Sequence, residues 1–121
     1  MKVAELHGML LDWWVCRAEL KEFVGMKVDE DTSAQMSRKI GTLPFHPSAN
    51  WHQGGPIIAR ECITLVCWEK ERWEAYMGEQ RSYLDVTPGW DADGNGAAPL
   101  IAAMRAYVAS KYGEEVPDEG K

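Results

Sequence analysis

Placed at about 100° per residue, Leu6, Met9, Leu10, Trp13, Cys16, Leu20 and Phe23 fall on one side of a helix spanning residues 3–24. That is a core stripe. The opposite side is apolar too, because Leu11, Trp14, Val15 and Ala18 form a second patch at mid-helix. A helix apolar nearly all round is covered on both sides. Either the rest of this chain wraps it, or a second copy packs on it and those four residues are an interface. Gly25 is the expected stop. The pattern then weakens. Residues 26–44 open with the acidic run Asp29, Glu30, Asp31 and read as a loop, with a short helix through Met36 as the alternative.

Residues 43–53 also read as loop, punctuated by Pro44 and Pro47. Gly54-Gly55-Pro56 predicts a helix start, since proline is welcome where its missing N–H costs nothing. Ile57, Ile58 and Cys62 are the buried side of this short helix. Period-two alternation follows: Ile63, Leu65 and Cys67 against Thr64, Val66 and Trp68, then Trp73, Ala75 and Met77 against Glu74 and Tyr76. Glu69, Lys70, Glu71 and Arg72 make a charged hairpin loop, and Ser82, Leu84 and Val86 suggest a third strand. Residues 87–98 read as a Gly/Pro/Asp loop. Pro99 opens a last helix to Tyr112, with Leu100, Ile101, Met104, Tyr107, Val108 and Tyr112 apolar and Ala102, Ala106 and Ala109 forming a flat back. Gly113 ends it. The pattern predicts an α+β fold: a long N-terminal helix, a short central helix, a small antiparallel β-meander of two or three strands, and a C-terminal helix packed on the sheet. One domain spans residues 1–113, and residues 114–121 form an acidic, frayed tail.

Composition narrows the partners. With 13 Lys and Arg against 19 Asp and Glu, the chain carries a net charge of −6, which disfavours nucleic acid and anionic membrane surfaces. No window approaches the roughly 18–20 apolar residues of a spanning helix, and no signal peptide is present. The three cysteines, Cys16, Cys62 and Cys67, lack a disulfide-framework spacing, and two of them sit in apolar patterns that suit buried free thiols. A soluble, cytoplasmic protein is expected.

Candidate chemistry is sparse. Asp91, Asp93, Asn95 and Gly96 match part of a calcium loop, but the bidentate position falls on Ala102, so an Asp-Gly/Asn-Gly turn is the better reading. His46, His52, Cys62 and Cys67 have no zinc-ligand spacing, and Cys16 has no evident activating partner. No metal, cofactor or catalytic set is expected. The credible site is the 50–55 loop: Asn50, Trp51, His52, Gln53, Gly54 and Gly55. Glycine amides at a helix start can hold an anion and Trp51 can stack on a planar group, although Pro56 removes one donor. The bland alternative has Trp51 plugging the core while the glycines make a tight entry into the helix. Trp68 and Tyr76, if they share the outer face of the sheet, form an exposed aromatic pair, and Trp90 is a further candidate contact.

Three blocks carry a resemblance: Leu11-Asp12-Trp13, the stretch over residues 47–58, and Pro99-Leu100-Ile101-Ala102-Ala103-Met104-Arg105 running on to Tyr107-Val108-Ala109-Ser110-Lys111. Together they resemble the NinX-like family of small proteins of tailed phages and prophages. The resemblance covers most of the chain outside residues 26–44 and 69–96. The family loop usually reads Thr-Asp-Trp-Ala-Gln-Gly-Gly. Here Ala49, Asn50 and His52 depart from it, while Trp51, Gln53, Gly54 and Gly55 match. Asn50 in place of the carboxylate argues against a general base or metal ligand there. The resemblance implies a phage accessory protein made in the bacterial cytoplasm, and implies no reaction. The two-sided first helix and the surplus of Trp point to protein–protein binding, as a homodimer or with a host or phage protein. The alternative is a small-ligand site or enzyme at the 50–55 loop, with His52 as acid–base and Trp51 as platform.

Overall fold

The computed structural model describes residues 1–20, 30–41, 45–77 and 92–116, and its architecture is α+β. The N-terminal helix is shorter than its apolar pattern. Val3–Glu5 is a single 3-10 turn, and α1 runs over Gly8–Leu20. Leu6 is extended and Gly8 sits at φ 57, so neither continues a helix across the junction. Met9, expected in the core stripe, is exposed. Residues 21–25, with Phe23 and the expected stop at Gly25, lie outside the described residues.

The second apolar patch of α1 is covered by this chain itself. Leu11, Trp14, Val15 and Ala18 are all buried. α1 packs against α2 (Glu30–Ile40) and against α4 (Pro99–Tyr112), and Trp14 meets Tyr112 edge-on with ring centroids 5.1 Å apart. The four residues considered for an interface are therefore core. α4 explains why: Leu100, Ala102, Ala103, Met104, Ala106, Tyr107 and Val108 are buried around its circumference, so α4 takes α1 on one side and the sheet on another. α2 itself corrects the loop expected over residues 26–44.

The sheet is a three-stranded antiparallel meander of β1 (Thr64–Glu69), β2 (Arg72–Met77) and β3 (Ala92–Gly96) in the order β1-β2-β3. The β1–β2 turn is tight, with Glu71 at φ 66. A bulge between Cys67 and Glu69 leaves Trp68 without a cross-strand partner. The expected third strand at residues 82–86 lies outside the described residues, and β3 falls where a loop was expected. The Asp-Gly/Asn-Gly turn is thus corrected to extended backbone, with Gly94 opposite Ala75 and Gly96 opposite Trp73. The reason lies in packing. A Cβ on Gly94 would run into the Ala102 carbonyl oxygen and the Ala106 backbone, so β3 and α4 meet backbone to backbone at the flat alanine side of the helix.

Alternation sorts the two faces. Leu65, Trp73, Ala75 and Met77 turn inward toward α4, and Thr64, Val66, Glu74, Tyr76 and Asn95 turn outward. Cys62 and Cys67 are exposed, against expectation; only Cys16 is buried among the three. Residues 114–116 are tied rather than frayed: Val3 N–H donates to Glu114 O at 2.9 Å and Val116 N–H to Met1 O at 2.9 Å. No helix among the described residues is long and apolar enough to cross a membrane.

Candidate functional site

The central helix begins earlier than its glycines suggest. α3 spans Trp51–Glu61, about three turns, and Asn50 is its N-cap. Asn50 Oδ1 accepts from the His52 N–H at 2.9 Å, and Asn50 O accepts from the Gln53 and Gly54 N–H groups at 3.1 and 2.8 Å. Three backbone donors that an anion would need are thus already engaged. Pro56 sits inside the helix, where it removes one internal hydrogen bond, rather than at its start. At the other end Cys62 adopts the left-handed conformation, φ 53, to close the helix.

The turn leading into α3 is held from below by α1. Ala49 and Asn50 N–H groups both donate to His46 O, and Gln53 Oε1 accepts from the His46 N–H. Asp12, buried on α1, accepts the Ser48 N–H at 2.9 Å, and its other carboxylate oxygen lies 3.3 Å from His46 Nδ1. A carboxylate in an apolar helix face is tolerable only with such partners. Gly54 completes the joint, since a Cβ there would stand 2.5 Å from Pro47 O and 2.7 Å from Leu100 of α4. Gly55, one residue on, has open space. The Leu11-Asp12-Trp13 block, the 47–58 stretch and the α4 block therefore converge on one joint.

Trp51 does not plug the core. It is 54 % exposed at the head of α3, and His52 beside it is exposed as well. Asn50, Trp51, His52 and Gln53 thus form a surface ledge over a rigid base, with Gly54 buried beneath. Asp12 is the polar residue that reading the loop alone missed. In the sequence it shows only as a charge set between Leu11 and Trp13 in an apolar stretch, with nothing local to name its partner.

A second polar cluster ties the other end of α3. Arg60 Nη2 donates to Glu19 at 2.6 Å and to the Tyr107 hydroxyl at 3.3 Å, and its Nε donates to Glu61 at 3.0 Å. Lys111 Nζ lies 3.8 Å from Glu61. The Glu19 hydrogen bond raises the already high Arg60 pKa, and burial foremost, then Glu19, pushes the Tyr107 phenol upward. Every charge here has its counterpart, so the cluster fastens α1, α3 and α4. Cys16 is pushed up to about 12 by burial, then by Glu19 and Asp12, which keeps it an unreactive thiol. His46, His52, Cys62 and Cys67 are not assembled, and no group of three or more metal-ligating side chains occurs among the described residues.

The outer face of the sheet carries the remaining aromatic surface. Trp68 is 58 % exposed, and Tyr76 donates its hydroxyl to Glu74, so Trp68 and Tyr76 do share that face. Trp90 lies outside the described residues.

Compared with known families, the chain matches the model described as Bacteriophage P22, NinX over residues 2–111. The match runs through residues 26–44 and 69–96 as well as the three blocks. No curated protein matches the chain.

Proposed function

The chain belongs to the bacteriophage P22 NinX family and is a phage accessory protein, and from that premise we propose that it works by binding another protein rather than by catalysis. The observation that supports this reading is the placement of Trp51 and Trp68, both more than half exposed. Tryptophan on a surface costs solubility and is the residue type that most often anchors protein interfaces. Trp51 also stands on a joint made rigid by Asp12, Gly54 and the Asn50 cap, so little ordering entropy opposes its use as an anchor. The small-ligand alternative at the 50–55 ledge loses its donors, because Asn50 already engages the His52, Gln53 and Gly54 amides.

Affinity capture with the tagged full chain from phage-infected cells, with cross-linking, tests the reading. A phage or host protein captured by the wild type and lost with Trp51→Ala or Trp68→Ala is the expected result. Empty capture after cross-linking, together with a monomer by sedimentation at high concentration, overturns it.

A further inference from the structure

The outer face of the β-sheet carries a cluster that the core does not use. Glu74 on β2 shares this face with two aromatic residues: Tyr76, two residues along, donates its hydroxyl to the Glu74 carboxylate, and the Trp68 indole, reaching over from the bulge of β1, favours its charged form. A bulge re-aims the side chain it carries, and here it brings an indole to a carboxylate on the neighbouring strand. The Tyr76 hydroxyl, then the Trp68 indole, hold Glu74 below the usual carboxylate range, so the group is an anion at neutral pH. A carboxylate offers about four acceptor positions, of which the Tyr76 hydroxyl occupies one. Arg72, the neighbouring cation, pairs with Glu69 across the turn at 3.5 Å and its charge also acts on Glu74, so a docking cation adds to a field the chain already supplies.

A planar cation suits this arrangement. A guanidinium can lie against the indole face while its N–H fork reaches the free carboxylate positions, whereas an ammonium offers no plane to stack. The chain already uses this chemistry on itself, with Arg17 over the Trp14 ring at 4.6 Å and Arg60 over Tyr107 at 5.8 Å while bound to Glu19 and Glu61. A second copy is a poor occupant, because a twofold axis at this face would bring Glu74 toward its own equivalent. A nucleic acid would bring phosphate to a carboxylate. The net charge of −6 favours a cationic partner at long range.

We propose that Trp68, Glu74 and Tyr76 form a docking site for an arginine side chain presented by a basic segment of another protein. The proposal deepens the protein-binding reading above by naming the surface and the chemistry of what it takes.

The probe is N-acetyl-arginine methylamide, titrated into the ¹⁵N-labelled full chain and followed at the indole N–H of Trp68 and the backbone amides of Val66 and Glu74. N-acetyl-lysine methylamide and sodium chloride at equal ionic strength are the controls. Saturable shifts confined to this face are expected, stronger for arginine than lysine, with Trp51 unmoved. Glu74→Gln weakens binding by roughly tenfold or more, the loss of a charge-assisted pair. Unchanged Trp13 and Trp14 indole signals establish that the variant remains folded. Non-saturating shifts, equal responses to the lysine compound, or undiminished binding by Glu74→Gln overturn the proposal. The two readings fail separately. A captured partner that survives Trp68→Ala and Glu74→Gln leaves protein binding standing and removes this site, whereas saturable arginine binding with empty capture keeps the arginine-binding face and removes the protein that was to present the arginine.

Discussion

Four tryptophans divide the molecule in two. Trp13 and Trp14, adjacent on α1, are 2 % and 1 % exposed, and Trp51 and Trp68 are more than half exposed. The same residue type fills the centre in one region and stands clear of the surface in the other. The inner pair lies on α1 where α2 and α4 pack against it. The outer pair occupies places where the backbone does something irregular: the capped first residue of a proline-containing helix, and a β-bulge. Burial of the first pair follows from hydrophobic area. Exposure of the second is fixed by backbone geometry.

The contrast breaks most visibly at its inner member. Trp14→Ala removes the ring that Tyr112 and Arg17 pack against and is expected to cost about 3–5 kcal/mol in chemical denaturation. A cost below about 1 kcal/mol would mean that α1 is not enclosed as described.

Next in size is a pair of neighbouring glycines at the boundary between the regions. Gly54→Ala forces a methyl against Pro47 O and Leu100 and is expected to destabilise by about 1–3 kcal/mol. Gly55→Ala has open space within the helix and is expected to stabilise by about 0.5–1 kcal/mol. Equal effects at the two positions would remove the joint.

Thiol chemistry draws the same line by a different measurement. Cys62 and Cys67 should react promptly with a disulfide reagent, and Cys16 only on unfolding. Because folding raises the Cys16 pKa from 9.0 to about 12, its contribution to stability is whole below pH 9 and declines as pH rises from there toward 12. Burial of Tyr107 acts in the same sense. The midpoint of denaturation should therefore fall on the alkaline side, and a midpoint that rises there contradicts the assigned burial.

The smallest effect belongs to the outer pair. Trp51→Ala and Trp68→Ala should each change stability by no more than about 0.5 kcal/mol, while one or the other abolishes capture of a partner. Large destabilisation by either would reassign it to the core.

Legibility in the sequence follows the same division. α4 could be read from end to end because Pro99 and Gly113 bracket it and its apolar positions leave no competing period. β1 and β2 were legible from alternation to within a residue or two at their starts. α2 was not, because its acidic start and polar composition match a solvated loop as well as a helix, and the difference lies in its packing on α1. β3 was hidden for the opposite reason. Gly94 and Gly96 suggest a turn in isolation, whereas here they make room for the backbone of α4. At the candidate site, the loop residues were legible but their anchor was not. Asp12 is far from Ser48 along the chain, and no local pattern joins them.

The backbone contact between Gly94 and the alanines of α4 sets how this protein can vary. Any side chain at Gly94 must displace the Ala102 carbonyl or the Ala106 backbone, and neither can yield without moving β3. β3 carries β2 beside it, and β2 bears Glu74 and Tyr76 on the far face. A substitution on the hidden side of the sheet would thus tilt the exposed side, without touching any residue there. Drift at Gly94 is consequently coupled to the geometry of the proposed docking face, and relatives that change it should carry compensating changes in both α4 and the outer face.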